Sequence, residues 1–262
     1  MDGSQKVETS LKTSAQAGFW TALAVLVAMP IVGVAAQASG DGYLFHAPYG
    51  SLSLRGGYEL ANTSSEPFGI MRRQTTIGAR SFDALNLGAD LGFNVTRRFD
   101  VVVSLDASSR ATTAEYRDWE ENGQPIEHWS GLDRLGLAAN VRYNLKDRGR
   151  SISSLAWIPA RVVPYVGVGA GMMWHVLIQK GDFVEETAAQ TASIFNDELR
   201  TSNRSVLAQA FTGLDYRINA RWSVLGEARY AHSSSTLRAD YTGLGKINLS
   251  GVVMNVGTSV RF

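Results

Sequence analysis

The final stretch of the chain, residues 252–262, alternates between apolar side chains and polar or very small ones. Read with the period of two that a β-strand imposes, one face carries the apolar residues Val252, Met254, Val256, Val260 and Phe262 together with Thr258. The other face carries Asn255, Gly257, Ser259 and Arg261. A strand of about ten residues with only one apolar face is typical of a strand that crosses a membrane within a closed barrel, although soluble sandwiches also contain such strands.

The same alternation recurs in seven more segments of the chain. They are residues 49–60, 85–95, 99–107, 134–145, 163–176, 206–218 and 222–230. Within 85–95 the alternation is uninterrupted, and Leu91 is one of its apolar members. Together with 252–262 the pattern predicts eight strands, an even number that places both ends of the barrel chain on one side.

The connections between these segments favour a membrane barrel over a soluble sandwich. Segments 96–98 and 219–221 are tight turns and 146–161 is intermediate, while 61–84, 108–133, 179–205 and 233–246 are long, so that long and shorter connections alternate. Outer-membrane barrels have this arrangement, with short periplasmic turns and long extracellular loops. Aromatic residues at the segment ends predict a belt at each membrane interface. The residues in the belts are Tyr49, Phe93, Phe99, Tyr143, Tyr165, Tyr216, Trp222 and Phe262 near the short turns, and Tyr58, Phe82, Trp174 and Tyr230 near the long loops.

Near the N-terminus, residues 18–36 form the only long apolar run in the chain. Lys6 and Lys12 precede the run, and small residues follow it, so the segment predicts a secretory signal peptide that is removed after Ala36 or Ala38. A permanent anchor is the alternative, but Pro30 within the run favours a signal because proline interrupts a helix. The predicted organisation is therefore a signal peptide at 1–38, a short periplasmic segment at 39–48 and a barrel domain at 49–262.

Composition excludes several kinds of chemistry. Cysteine is absent, so the chain has neither a disulfide framework nor a thiolate nucleophile. A net charge of +1 gives no excess of the kind that nucleic-acid binding requires. Residues 167–171 read Gly-Val-Gly-Ala-Gly, but they lack the turn, helix and downstream acid of a nucleotide-binding loop. We therefore predict no cofactor, no metal site and no nucleic-acid partner.

Three motifs identify the group that the chain resembles. They are the strand beginning Pro164-Tyr165-Val166-Gly167, the strand Gly213-Leu214-Asp215-Tyr216-Arg217-Ile218, and the terminal Val260-Arg261-Phe262. With these motifs, residues 49–262 resemble the small eight-stranded outer-membrane β-barrels, which include OmpA-transmembrane-like, OmpW-like and opacity-like surface proteins. The resemblance implies an all-β, antiparallel, up-and-down transmembrane barrel. It also implies that Phe262 is the terminal aromatic signal read by the barrel-assembly machinery.

Charged residues on the polar faces of the strands predict an interior network. A barrel of eight strands is just wide enough for side chains to fill it, so inward charges must pair. The predicted lumen charge network comprises Arg55, Glu59, Asp90, Arg134, Arg142, Asp215, Arg217, Glu227 and Arg229. We expect it to plug the barrel, and a gated pore is the alternative. For Glu227 we predict Arg217 on the adjacent strand as the partner in preference to Arg229.

His232 and Ser234 are the candidate catalytic residues. On the alternation of their strand they face lipid just above the outer aromatic belt. This His-x-Ser resembles the dyad of PagL-type lipid A deacylases, which are also eight-stranded barrels. The glutamate that the resemblance requires is absent, since the matching region reads Gly245-Lys246-Ile247-Asn248 and the nearby Asp240 belongs to a loop.

The leading functional prediction is a non-catalytic protein of the bacterial outer membrane, with a structural or surface-interaction role through its long extracellular loops. A narrow, porin-like channel for small or hydrophobic molecules, as in OmpW-like barrels, is the alternative. A deacylase-like serine hydrolase is the second alternative. The expected partners are outer-membrane lipid and lipopolysaccharide, the barrel-assembly machinery through the last strand, and an extracellular ligand.

Overall fold

A computed structural model describes residues 43–121, 123–153, 155–186, 192–241 and 243–262. In chain order its strands are β1 (Gly50–Ala61), β2 (Ala84–Asn94), β3 (Phe99–Glu121), β4 (Gln124–Asn144), β5 (Gly149–Ser153), β6 (Ala156–Pro159), β7 (Val162–Glu186), β8 (Ala192–Arg217), β9 (Trp222–Thr236), β10 (Lys246–Asn248) and β11 (Gly251–Arg261). A helix, α1 (Glu66–Gln74), and a 3₁₀ helix (Ala239–Tyr241) lie between strands. The predicted signal peptide lies outside the described residues. Across the described part of the chain, no helix is long and apolar enough to cross a membrane.

Eight of the strands close into an antiparallel barrel. Their order is β9-β11-β1-β2-β3-β4-β7-β8, and β8 pairs again with β9. Closure leaves none of the eight with an unpaired edge through the shared part of the barrel, which is the condition for placing backbone N–H and C=O groups in lipid. The predicted all-β barrel of eight strands is thereby confirmed, and the two remaining pairings are the β5–β6 hairpin and β10 alongside β9.

The register of the strands gives the shear of the barrel. Glu227 pairs with Gly213 of β8 directly. The row of paired residues can also be followed from Glu227 the other way around the barrel. It reaches Asn203 of β8 after passing through Asn255, Gly57, Asn86, Ser108, Arg134 and His175. Gly213 and Asn203 are ten residues apart, a shear that tilts eight strands by roughly 40–45° from the axis.

An outward apolar band surrounds the barrel. The burial of β2 alternates along nearly its whole length, and its outward leucines are exposed, for example Leu85, Leu87 and Leu91. Val168 on β7 and Val256 on β11 are also exposed to more than half. Contiguous exposed apolar surface of this extent marks an interaction with lipid or another apolar partner. The band therefore identifies the part of the barrel that lies in the bilayer.

Four strands continue well beyond this band. At the tilt given above each residue advances about 2.5 Å along the axis, so an apolar band of ~25 Å needs only about ten residues. β3, β4, β7 and β8 contain 21 to 26 residues. We refer to the end into which they project as the loop end, and to the end that carries Gly50 and Phe262 as the terminal end.

The predicted lengths of two long loops are wrong, because the projecting strands occupy most of both segments. Segments 108–133 and 179–205, expected to be loops, are mostly paired strand. The sequence prediction ended each strand where its outward apolar residues end. Strand pairing satisfies the backbone in water as well as in lipid, so the ladder continues after the need for apolar outward residues has ended. Segment 61–84 contains α1, and segment 233–246 contains the end of β9 and the 3₁₀ helix.

Helix α1 covers part of the loop end. Pro67 occupies its first turn, where the missing amide is tolerated. Glu66 lies in the first turn and Arg72 and Arg73 lie in the last turn, which is the placement of charges that the helix dipole favours. Phe68 and Met71, three residues apart, are buried on one face. This face packs toward the barrel interior, so the helix acts as a lid on the loop end.

Candidate functional site: the charged interior of the barrel

The structure places the nine predicted interior residues at three heights. Arg55, Asp90, Glu227 and Arg229 meet near the middle, and all four are buried. Glu59 and Arg134 form a pair nearer the loop end. Arg142, Asp215 and Arg217 are half-buried near the terminal end.

The middle of the barrel is organised around Arg55 on β1. Its Nε and Nη2 donate to the two carboxylate oxygens of Asp90 on β2, at 2.7 and 2.8 Å. Nη2 is also 3.0 Å from Asp106 Oδ1 on β3, and Nη1 is 3.3 Å from Glu227 Oε1 on β9. A guanidinium offers five N–H donors in one plane, and three carboxylates from three strands use them here.

Arg229 connects the opposite wall to the same carboxylates. Its Nη1 donates to Asp106 Oδ2 at 2.8 Å, and its Nε donates to Glu227 Oε1 at 3.0 Å. β9 and β3 are separated by three strands around the wall, so the contact between Arg229 and Asp106 spans the lumen. We call Arg55, Asp90, Asp106, Glu227 and Arg229 the central cluster.

Neutral groups supply further hydrogen bonds to the central cluster. Ser104 Oγ donates to Asp90 Oδ1 at 2.5 Å, and the Tyr165 hydroxyl donates to Glu227 Oε2 at 3.1 Å. The Arg229 guanidinium lies 4.9 Å from the centre of the Phe211 ring, within cation–π distance. The cluster has three carboxylates and two guanidiniums, and each of these five charged groups has more than one partner.

A glycine makes room for Arg55. A Cβ atom at Gly88 would lie 2.7 Å from Asp106 Oδ1 and 2.8 Å from Arg55 Nη2. These distances are too short for a carbon atom, so any side chain at position 88 would displace the Arg55 guanidinium, the Asp106 carboxylate or both. The glycine on β2 is therefore part of the central cluster although it contributes no polar group.

The pair nearer the loop end is less completely satisfied. Arg134 Nη1 is 2.7 Å from Glu59 Oε1. Arg134 Nε and Nη2, both ring nitrogens of His175 and Asn86 Oδ1 are buried and have no hydrogen-bond partner within the described chain. Asn86, Ser108, Arg134 and His175 occupy one row of paired residues across four strands. Buried polar groups of this kind are commonly bridged by internal water.

The terminal end is closed by a third polar group and by a covering hairpin. Asp100 is fully buried and accepts from Arg142 Nε at 2.9 Å and from Asn144 Nδ2 at 2.7 Å, and it is also paired with Arg148. Asp215 pairs with Arg261 at 3.0 Å.

The β5–β6 hairpin lies against this mouth. Trp157 of β6 is buried and exchanges two backbone hydrogen bonds with Leu44, at 2.8 and 2.7 Å. A cavity of about 20 Å³ remains beside it, lined by Arg142, Trp157, Asp215 and other residues. One water molecule needs roughly 10–15 Å³, so this space holds about one.

An apolar core closes the interior toward the loop end. Leu132 and Leu177 point inward from β4 and β7 and are fully buried, and Phe68 of α1 packs against Phe82 with ring centroids 5.0 Å apart. The same cluster includes Ile247 and Leu249 together with Met71, Ile77, Ala114, Met173, Leu207, Leu237 and Tyr241. Phe82 was predicted to lie in an interfacial belt, and that prediction is wrong because its side chain is buried in this core.

Beyond this core, the inner face of the projecting strands carries a row of rings. Tyr116, His128, Phe183 and Phe195 come from β3, β4, β7 and β8 in turn, and successive ring centroids lie 5.5, 6.1 and 5.9 Å apart. Phe195 is 40 % exposed at the open end of the row. Burial lowers the pKa of His128 and raises the pKa of Tyr116, since each loses hydration of its charged form. We call these four residues the aromatic row.

Two predicted details of the interior require correction. Arg217 does not pair with Glu227, because its Nη1 donates to the Pro159 carbonyl at 2.7 Å, whereas Arg229 contacts Glu227. In the register of β8 and β9 the residue opposite Glu227 is Gly213, and Arg217 lies four residues further toward the terminal end. Tyr165 does not lie in the terminal belt, since it is 2 % exposed and points inward.

Asp100, Asp106 and Arg261 belong to the interior clusters but were missing from the predicted network. Each lies on the polar face of its strand, so the alternation that found the other residues would also have found these. Arg148 carries no such signal because it precedes β5 in a connection, and only the fold brings it to Asp100.

His232 and Ser234, the candidate catalytic residues, are both exposed on the outer face of β9. His232 Nδ1 lies 3.1 Å from Ser250 Oγ, and Ser234 is opposite Asn248 of β10. Among the described residues no carboxylate is hydrogen-bonded to this histidine, so the orienting acid of a serine hydrolase is not in place. In the same part of the chain no group of three or more His, Asp or Glu side chains could hold a metal ion.

A closed barrel of eight tilted strands, an outward apolar band and a polar, packed interior define a transmembrane β-barrel protein. The sequence matches the family described as outer membrane protein beta-barrel domain over residues 24–262. The chain therefore belongs to that family, whose members lie in the bacterial outer membrane. No match was found among curated proteins.

Several solved structures are similar to this chain. Neisserial surface protein A is 11 % identical, with a TM-score of 0.42, and the match covers 86 % of this chain and 100 % of that one. The attachment invasion locus protein Ail of Yersinia pestis is 13 % identical, with a TM-score of 0.39 and coverage of 81 % and 99 %. The N-terminal barrel domain of Pseudomonas aeruginosa OprF is 11 % identical, with a TM-score of 0.36 and coverage of 82 % and 100 %.

Proposed function

We propose that this protein is a non-catalytic outer-membrane barrel that fills its own lumen and supports a folded surface for recognition outside the cell. The observation that carries the proposal is the occupied interior. The polar group around Asp100, the central cluster and the apolar core lie one above another along the axis. A continuous pathway would have to pass all three.

The central cluster is the strongest barrier of the three. Charge-assisted hydrogen bonds connect β1 to β2, β1 to β9 and β9 to β3, and the last of these crosses the lumen. Opening a path there would separate buried charges from their partners, and leaving one buried charge without its partner costs about 3–5 kcal/mol. A structural role of the interior charges is therefore favoured over gating.

The loop end supports the second half of the proposal. The strands that project beyond the bilayer carry a packed core and the aromatic row, which make this end a rigid surface rather than a set of flexible loops. Recognition is commonly carried by such segments on a rigid scaffold. Phe195, exposed at the end of the row, is the first candidate for contact with an extracellular ligand.

The membrane topology that we propose is the one predicted from the sequence. The leader is removed after Ala36 or Ala38, both ends of the barrel domain face the periplasm, and the loop end faces outward. Lipid and lipopolysaccharide surround the apolar band, and the barrel-assembly machinery recognises the last strand through Phe262.

Conductance in a planar bilayer tests the closed lumen. We expect the refolded barrel to be silent. The double variant Asp106→Ala/Arg229→Ala, which removes the contact across the lumen, should show small openings. A matched control is Lys180→Ala/Glu198→Ala, an exposed pair of the same charges 3.8 Å apart. Discrete openings of the parent would contradict the proposal and favour the alternative of a narrow pathway.

The absence of catalysis has a separate test. Lipid A extracted from cells with and without the protein should show the same acyl chains by mass spectrometry. Loss of one acyl chain that depends on His232 and Ser234 would instead establish a deacylase.

A further inference from the structure

A second, larger cavity lies beside the small cavity at the terminal end. It has a volume of about 270 Å³ and opens to solvent, and its walls include Arg97, Arg148 and Trp157. It shares four lining residues with the small cavity of about 20 Å³, namely Pro48, Asn94, Arg148 and Trp157. We call the larger one the vestibule and the smaller one the inner cavity. The inner cavity therefore lies directly behind the vestibule, close to the solvent at the terminal end.

Three guanidiniums line the inner cavity. Arg142 comes from β4, Arg148 from the connection before β5, and Arg261 from β11. Their side chains are only 10 to 17 % exposed. Burial, and secondly the like charge of Arg261, lower the pKa of Arg148 to about 10. A fourth arginine, Arg217, is half-buried and close enough to repel Arg261. Positive charge is therefore concentrated at one point of the fold, with little water to screen it.

The carboxylates that pair with these three arginines do not balance them. Asp100 is shared by Arg142 and Arg148, and Asp215 accepts from Arg261 Nη2 at 3.0 Å. The other terminal nitrogen of Arg261, Nη1, is buried and has no hydrogen-bond partner among the residues that the structure describes. Three guanidiniums thus share two carboxylates, which leaves one positive charge in surplus at the inner cavity.

Other acidic groups at the terminal end do not remove this surplus. Asp147 lies 2.6 Å from Arg98 in an exposed pair. The main-chain oxygen of Phe262 accepts hydrogen bonds from the amides of Tyr49 and Gly50, at 2.8 and 3.2 Å. Within the described part of the chain, the terminal carboxylate of Phe262 forms no ion pair with any of the three lining arginines. The surplus charge of the inner cavity is therefore free to attract an anion from solution.

A buried charge that is incompletely compensated is costly, and a bound anion offsets that cost. The inner cavity has room for about one water-sized particle, so only a small ion fits. We propose that the inner cavity binds one chloride ion between Arg142, Arg148 and Arg261. A single monovalent anion matches the single surplus charge. The ion joins β4 and β11 to the connection before β5, and so holds the β5–β6 hairpin over the mouth of the barrel. This site lies at the end opposite to the proposed recognition surface and does not depend on it.

Bromide is the probe, because it is close to chloride in size and quenches tryptophan fluorescence on contact. The refolded protein in neutral detergent micelles is titrated with sodium bromide, and sodium gluconate keeps the ionic strength constant. Trp157 lines both cavities, so we expect a saturable loss of fluorescence that is absent from Trp157→Phe. Chloride should displace bromide. Sulfate is too large for the inner cavity and should not.

Two variants should change the affinity for bromide in opposite directions. Arg261→Gln removes a charged donor, and a hydrogen bond to a charged group corresponds to roughly 10- to 100-fold in affinity, so we expect binding at least about tenfold weaker. Asp215→Asn removes the carboxylate that competes with the anion for Arg261, so binding should become tighter. The matched control is Arg150→Gln, an exposed cation at the same end that lines neither cavity. Heat-modifiable mobility in gels identifies the folded fraction of each variant.

The proposal is supported if bromide quenching saturates, chloride reverses it, and the two variants shift the affinity in opposite directions. It is overturned if quenching rises linearly with bromide, if the saturable part survives in Trp157→Phe, if sulfate displaces bromide as well as chloride does, or if Arg150→Gln weakens binding as much as Arg261→Gln. Should Arg261→Gln fail to fold, Asp215→Asn decides the question, since tighter binding supports the site and unchanged or weaker binding overturns it.

Discussion

Arg55 is the residue on which the central cluster depends, and its replacement gives the sharpest test of the interior. Arg55→Met keeps much of the side-chain length but leaves Asp90, Asp106 and Glu227 facing Arg229 alone. Removing one partner of a buried ion pair costs about 3–5 kcal/mol because the remaining charge is left uncompensated. Three carboxylates contact Arg55, so we expect the upper part of that range in the free energy of unfolding.

The charge balance of the central cluster predicts that replacing its different members costs different amounts of stability. Glu227→Gln leaves two carboxylates and two guanidiniums, and the amide oxygen can still accept a hydrogen bond. We expect its cost to be only about 1.5–3 kcal/mol, the range for a hydrogen bond to a charged group. Lys180→Met serves as the control, since an exposed ion pair contributes about 0–1 kcal/mol.

The assay is urea unfolding of the barrel refolded in lipid vesicles, followed by tryptophan fluorescence. A change in midpoint at constant slope reports stability. Adding Asp90→Asn to Arg55→Met should recover about 2 kcal/mol, because it removes a carboxylate that the first change orphaned. Equal costs for Arg55→Met and Glu227→Gln, or an additive double variant, would show that water screens the cluster and would refute the reasoning.

Four further predictions concern other parts of the barrel. Leu91→Arg should cost about 2–4 kcal/mol in the same unfolding assay, since it places a charge near the middle of the bilayer, and unchanged stability would mean a register in error by one residue. Gly88→Ala should destabilise the parent but much less a barrel that already carries Arg55→Met, a difference that a double-mutant cycle measures. Deletion of Phe262 should reduce the amount of heat-modifiable barrel in the outer membrane while export continues, and equal amounts from parent and deletion would contradict its role. Burial keeps the pKa of His128 below that of the unfolded chain, so the stability that its neutral form contributes is complete above about pH 6.5 and is lost as the pH falls below it; His128→Phe should remove that part of the acid sensitivity in unfolding titrations.

The sequence by itself determined the eight strands and the face of each one. A period of two is a local property, so residues such as Leu91 and Asp90 could be assigned to lipid and lumen without any knowledge of their neighbours. The same alternation also contained Asp106, which was overlooked although its position on the polar face is as clear as that of Asp90.

Only the tertiary structure decided which of these residues meet. Glu227 contacts Arg55 and Arg229 rather than Arg217 because the shear of ten residues sets the heights of the strands, and shear is a property of the closed ring that no single strand encodes. The sequence also did not predict the lengths of β7 and β8. Outside the bilayer, strand pairing continues without outward apolar residues, so the alternation that marks a strand is lost. Arg148 reaches Asp100 only through the covering of the mouth by the β5–β6 hairpin. Facing directions are thus local and readable from the sequence, whereas contacts across the lumen depend on how the whole sheet closes.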